Sequence, residues 1–265
     1  MEWIETYNKM LNDVNVTYEE INEYLKGYRP TKLYRYRNYG FNWERELEYG
    51  EIYMACPKDF NDPFDCSLYF NRKNFGEYIK SKLNLIINDE AIDNSFNQMY
   101  NNNYEKYFNA YINQARIASF IPDYKSILMW SHYAGSHEGY CIEYDISKID
   151  TNKNALFPVV YMKNRFDMSL IINDSDNMLM NPLLYKAQEW SYEKEWRLIS
   201  SSEKFNKELG QCFVINNAIT GIYLGARSDV NSNVQIIIKW AEKNKIPIYQ
   251  MRVSKSQYAL IKERL

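Results

Sequence analysis

Four short stretches of the chain combine ionisable and aromatic side chains at spacings that could do chemistry. In Leu33-Tyr34-Arg35-Tyr36-Arg37, strand alternation puts Arg35 and Arg37 on one face and Tyr34 and Tyr36 on the other. An arginine held on a strand forks onto a phosphate or carboxylate, and a neighbouring tyrosine offers a flat surface to a base or nicotinamide ring. Phe60-Asn61-Asp62-Pro63-Phe64-Asp65 reads as a rigid turn, in which Asn61 and Asp62 either bond backbone donors or face a ligand. The two histidines of the chain fall together in Trp130-Ser131-His132-Tyr133-Ala134-Gly135-Ser136-His137-Glu138-Gly139. Histidine is the side chain poised to move a proton near neutral pH.

The fourth stretch, Glu189-Trp190-Ser191-Tyr192-Glu193-Lys194-Glu195-Trp196-Arg197, reads as a strand with Glu193, Glu195 and Arg197 on one face. Carboxylates two residues apart repel, so one holds its proton more tightly, which suits general-base work or stabilisation of a cation. Structural roles also suit these residues: solvated arginines on an edge strand, a turn that bonds itself, a buried histidine tying helix to strand. Metal chemistry has little to recommend it. His132 and His137 are five apart across a glycine, and the H-E-x-x-H pattern is absent. Cys56, Cys66, Cys141 and Cys212 form no C-x-x-C pair. No metal ligands are therefore expected.

The elements that must hold these residues follow from periodicity and punctuation. Residues 1–29 read as two helices: Trp3, Ile4, Tyr7, Met10, Leu11 and Val14 recur at helical spacing, and Thr17-Tyr18-Glu19-Glu20 has the form of a capping box. Strands are expected at Lys32–Arg37, Glu51–Cys56 and Ser67–Phe70, with a helix over Trp43–Tyr49. Residues 74–125 read as a helical insertion, two or three helices over 74–119. A helix from Ser126 is closed by Gly135, and strands follow at Gly139–Asp145 and over Ala155–Met162. A helix is expected near 176–187, then strands at Lys194–Ser200, Cys212–Ile215 and Ile219–Leu224. Val230–Asn244 reads as a helix and Pro247–Val253 as the final strand. Without repeat or flexible linker, the reading is a single α+β domain over 1–265 with a mixed or antiparallel central sheet.

Composition bounds the partners. Thirty-two Lys+Arg against 34 Asp+Glu give a net charge of −2, which argues against broad affinity for a phosphate backbone but leaves room for a local basic groove. No uncharged apolar run approaches the roughly 18 residues of a membrane span. Met1 leads into an acidic amphipathic segment that is unlike a signal peptide. The expectation is a cytoplasmic protein with reduced thiols and no membrane association.

Taken in order, the Leu33–Tyr36 strand, the Phe60–Asp65 loop, the Met129–Asp145 segment and Tyr192–Arg197 resemble an uncharacterised bacterial family of domain-of-unknown-function proteins, over about residues 31 to 227. Some of its relatives occur near phage-defence genes. A second resemblance is to ADP-ribosyltransferase-like folds, including the DNA-modifying toxin branch. It implies NAD as substrate and a nucleic-acid or protein acceptor, with a defence-system partner protein in a toxin–antitoxin setting. Carried over in order, Arg35 holds the NAD phosphate or ribose, Ser131 or Tyr133 sits beside the nicotinamide ribose, Glu195 stabilises the oxocarbenium-like centre, and Glu193 orients the acceptor. Because Ser131 reads as helical, Tyr140 on the following strand is the alternative central residue. The full expected set is Glu195, Glu193, His132 and Tyr133 as catalytic groups, with Arg35, Tyr36, Asn61, Asp62, Ser131, Tyr140 and Arg197 around the cofactor. Two other readings stay open: a metal-dependent nuclease using Asp62, His132 and Glu195, and a non-catalytic sensor or antitoxin that binds a nucleotide or partner.

Overall fold

A computed structural model describes residues 2–13, 15–40, 43–67, 69–83, 88–99, 105–149, 155–170, 180–201, 212–214, 217–229 and 231–265. Two helices open the chain, α1 (Glu2–Leu11) and α2 (Tyr18–Leu25). The capping box at α2 is formed: Thr17 Oγ1 accepts from Glu20 N, and the Glu20 carboxylate accepts from Thr17 N. This satisfies two otherwise unpaired donors, worth about 1 kcal/mol. Then come β1 (Lys32–Arg37), α3 (Trp43–Glu48) and β2 (Glu51–Tyr53). Helices α4 (Arg72–Leu83), α5 (Asp89–Met99) and α6 (Glu105–Gln114) lead into β3 (Ala115–Phe120).

Helix α7 (Ile127–Tyr133) starts at its Ser126 cap, and β4 (Tyr140–Asp145), β5 (Ala155–Pro158) and β6 (Val160–Met162) follow. The second half holds β7 (Tyr185–Ala187), β8 (Trp196–Ser201), β9 (Cys212–Val214) and β10 (Ile219–Leu224). Last come α8 (Ser232–Asn244), β11 (Ile248–Val253) and β12 (Leu260–Arg264).

The class is α+β with a mixed five-stranded sheet, in the order β1-β4-β10-β11-β12. Only β10 and β11 run parallel in it, joined through α8; the other neighbours are antiparallel. A second, antiparallel sheet has the order β3-β8-β5, and two short pairs, β2–β9 and β6–β7, complete the strands. Both faces of the large sheet are covered. Leu33, Ile142 and Ile222 pack with Val234, Ile237 and Ala241 of α8, while Tyr34, Tyr36, Cys141, Tyr223 and Met251 pack with Trp130 of α7. At one corner reciprocal hydrogen bonds join Tyr34 of β1 to Ile121, just past β3, at 2.7 and 2.9 Å, and join Ala55, just past β2, to Ile117 of β3 at 2.8 and 2.9 Å. That corner positions the candidate site.

Four expectations need correction. Ser67–Phe70 forms no strand in its described residues. The helical insertion ends at Gln114, because Ala115–Phe120 pairs in full with β8, Ala115 opposite Ser201 and Phe120 opposite Trp196. The helix expected near 176–187 falls partly outside the described residues; within them, Asn181–Leu183 is a 3-10 turn and Tyr185–Ala187 a strand. Pro247–Val253 is not the final strand, since β12 follows it and forms the edge of the sheet.

Candidate functional site

A cleft of about 350 Å³ opens where the sheets meet. Its walls come from β1, the loop after β2, β3, α7, β7 and the segment before β8. The chain reaches this geometry through a bend that alternation conceals. Gln188–Glu193 is a 3-10 turn, and Lys194 then adopts a left-handed conformation at φ 50° before β8 begins. Glu193 and Glu195 therefore do not lie on one strand face with Arg197, correcting that expectation. They meet instead around Lys186 of β7.

Lys186 Nζ lies 2.5 Å from Glu193 Oε2, 3.0 Å from Glu195 Oε2 and 3.8 Å from Asp65 Oδ2. Behind them Arg197, wholly buried, donates from Nη2 to Asp65 (2.6 Å), from Nε to Glu195 Oε1 (2.9 Å) and from Nη1 to the Leu183 carbonyl (2.6 Å). Two cations thus face three buried carboxylates, a combination that forces the acids apart in proton affinity. Burial would raise Glu195, but Arg197 and Lys186 outweigh it and hold its carboxyl at about 2. Burial pushes Glu193 above the ordinary carboxylate value, helped by the Glu195 charge and opposed by Lys186 and Tyr133. The Tyr133 hydroxyl donates to Glu193 Oε1 at 2.8 Å.

On the opposite wall, Arg35 and Arg37 share Glu46 of α3. Arg37 Nε donates to Glu46 Oε2 at 2.6 Å, and Arg35 Nη1 lies 3.4 Å from Oε1, which also accepts from the Tyr144 hydroxyl. Arg35 Nη2 donates to the Tyr53 carbonyl at 3.1 Å. Burial and the neighbouring Arg37 lower Arg35 to about 10, against the pull of Glu46. Tyr36 is anchored by its hydroxyl to the Asp123 carbonyl (2.6 Å).

Of the residues singled out from sequence, Arg35, Tyr36, Asn61, Tyr133, Glu193 and Glu195 line the cleft. Arg197 sits beneath its floor. Asp62 lies outside, its Oδ1 accepting from Phe64 N at 2.9 Å as a turn residue. His132 is exposed on α7, its ring 6.3 Å from those of Tyr133 and Tyr192, and does not line the cleft. Ser131 faces away and meets His137 (Oγ to Nε2, 3.1 Å). Tyr140 is buried in the sheet, stacked on Tyr39 at 5.5 Å, and is likewise outside the lining. Sequence reasoning missed Lys186, Asp65 and Ser119, which all line the cleft. The signal for Lys186, a lysine between Tyr185 and Trp190, is hidden by the helix-like pattern near 176–187; its ammonium sits 5.0 Å over the Trp190 ring.

Among the described residues, no three His, Cys, Asp or Glu side chains gather as a metal group. Asp62, His132 and Glu195 are not brought together as such a group. No helix of the described residues is long and apolar enough to cross a membrane.

Over residues 129–198, from α7 to the first residues of β8, the chain is similar to a family described as "Protein of unknown function (DUF2971)". That stretch carries Tyr133, Lys186, Glu193, Glu195 and Arg197, whereas Arg35, Asn61 and Asp65 lie before it. No curated protein and no solved structure matches the chain.

Proposed function

We propose that the cleft is an N-glycosidic reaction site for NAD, with Glu193 as the carboxylate that meets the reacting sugar. The observation that carries this reading is the splitting of the two acids. Both acids line the cleft, but Glu195 is gripped by Arg197 and Lys186 and held low, whereas Glu193, bonded by Lys186 at Oε2 and by the Tyr133 phenol at Oε1, has a raised proton affinity. A carboxylate so placed is matched to a centre that becomes positive in the transition state.

A cleft of 350 Å³ is at the small end of ligand sites, roughly 300–1,000 Å³. It suits the nicotinamide-ribose half of NAD, with the remainder lying towards solvent. Phe60, Tyr53 and Tyr133 offer flat walls to the nicotinamide ring. Arg35 is held inward by Glu46 and Tyr53, so it adds positive potential to the wall rather than a free fork.

In the reaction, the bond between ribose C1′ and the pyridinium nitrogen breaks, and its electron pair leaves with neutral nicotinamide. Ionised Glu193 stabilises the ribosyl cation that remains. Water, or a hydroxyl or amine of a nucleic-acid or protein acceptor, attacks C1′ and loses its proton to Glu193. An ADP-ribosyltransferase-like arrangement of the sheets and a setting in bacterial defence rest on the sequence resemblance. Incubating the purified protein with NAD and weighing the products by mass spectrometry tests the proposal: free nicotinamide should appear, and Glu193→Gln should slow its appearance about a hundredfold or more. NAD that binds but is recovered intact, with candidate acceptors present, would leave the binding-module reading in its place.

A further inference from the structure

Helix α7 serves two cavities. Met129 and Tyr133 face the cleft, while Ile127 and Ser131, also one turn apart, face a separate pocket of about 800 Å³. This second pocket lies between one face of α7, the turn after it, Ala226-Arg227 beyond β10, and the loop joining β11 to β12. Its polar lining is one-sided. Ser131, Ser136, His137, Arg227, Lys255 and Ser256 face it, and among the described residues no carboxylate does. Neither Arg227 nor Lys255 makes an ion pair among the described residues.

The polar groups are held in place. Gly135, Ser136 and His137 all have left-handed backbone, at φ 53°, 56° and 72°. This sequence of conformations is sterically costly at the two non-glycine positions, and the surroundings enforce it. His137 N donates to the Trp130 carbonyl (3.1 Å), and the His137 carbonyl accepts from Arg227 N (2.9 Å). Gly225 packs so close that a Cβ there would come 2.0 Å from the same carbonyl. The His137 ring stacks on Trp130 (6.4 Å, 16°) and puts Nε2 3.1 Å from Ser131 Oγ. Across the pocket the loop is ordered by Ser254, whose Oγ accepts from Ser256 N and Gln257 N.

We infer that this pocket is a second ligand site, built for the phosphate monoester of a small organic molecule. Two cations with no ion pair among the described residues, an imidazole and serine hydroxyls match a phosphate's charge and its several acceptor oxygens. Ile127, Val253 and Tyr258, exposed on the rim, would cover the organic part. A nucleophilic role for the Ser131–His137 pair is less well supplied, since among the described residues no acid faces the pocket to orient the imidazole. The inference does not depend on the chemistry of the cleft.

The chain's two histidines make the test site-specific. Protein labelled in histidine should give two sets of ring signals, assigned with His132→Gln. Titration with adenosine 5′-monophosphate and with ribose 5-phosphate should shift the His137 signals saturably and leave those of His132 in place. Adenosine, which lacks the phosphate, should not shift them. Arg227→Ala should weaken both phosphate titrations about tenfold or more, at an unchanged melting temperature. The inference is overturned if His137 shows no saturable shift at millimolar probe, if adenosine shifts it equally, or if a folded Arg227→Ala protein titrates as the wild type does.

Discussion

Tyr133 donates its hydroxyl to Glu193 across 2.8 Å, joining residues 60 apart in the chain at the wall of the cleft. This bond favours the ionised form of Glu193, whose carboxyl is otherwise pushed up by burial and by Glu195. Tyr133→Phe should therefore raise the Glu193 pKa further. If ionised Glu193 is the working form, the acidic limb of the pH–rate profile should move to higher pH, with a loss of about 1–2 kcal/mol in stability. An unmoved limb would remove Glu193 from the reaction.

Glu193 and Glu195 should fail differently when neutralised. Glu195→Gln leaves Arg197 and Lys186 short of a buried partner, so it should lower stability by about 3–5 kcal/mol. Glu193→Gln should keep most of the stability yet lower turnover of NAD about a hundredfold or more. Melting curves and single-turnover rates on both variants separate these outcomes. Equal losses of stability with no rate difference would speak for a purely structural pair.

Acid sensitivity follows from the same cluster. Glu195 is held at about 2 in the fold, against 4.5 for an ordinary glutamate. Between those values the unfolded chain binds a proton that the folded chain does not. The stability contributed by Glu195 is thus complete above about pH 4.5 and is lost as pH falls towards 2. The gap in melting temperature between wild type and Glu195→Gln should close over that interval, and calorimetry at a series of pH values reads it directly.

Glu46 is the shared partner of Arg35, Arg37 and the Tyr144 hydroxyl. Glu46→Gln strands two guanidinium groups in a buried corner and should cost about 3–5 kcal/mol. Replacing Glu46 and Arg35 together by Met should recover part of that loss, because the more deeply buried guanidinium leaves with the acid and only Arg37, the more exposed of the two, is left without its partner. A double variant less stable than Glu46→Gln would show that the corner depends on the ions themselves.

Much of the frame was legible because its signals are local. The capping box at Thr17, the alternation of Lys32–Arg37 and the run Ile219–Leu224 each decide their own conformation. Strand β3 was hidden because Ala115-Arg116-Ile117-Ala118-Ser119-Phe120 follows a helix and contains good helix formers. Its strand state comes from β8, some 80 residues later. The site was legible only in part for the same reason. Tyr133, Glu193 and Glu195 advertise themselves by type and spacing, but the ammonium that organises them does not. Lys186 acquires its role from Asp65, 121 residues earlier, and from a bend at Lys194 where no glycine marks the left-handed turn. Distant pairing overrides local propensity in both cases.

The pairing of β2 with β9 sets a clock on the birth of the protein. Glu51 lies opposite Val214 and Tyr53 opposite Cys212, so β2 leaves the ribosome about 160 residues before its partner. At about 5–20 residues per second, that is roughly 8–30 s in which the strand beside the future cleft has an open edge. A strand edge left open for that long is a template for other chains. Synthesis that stalls between β2 and β9 should therefore yield aggregation-prone nascent chains, even though the finished fold protects this edge.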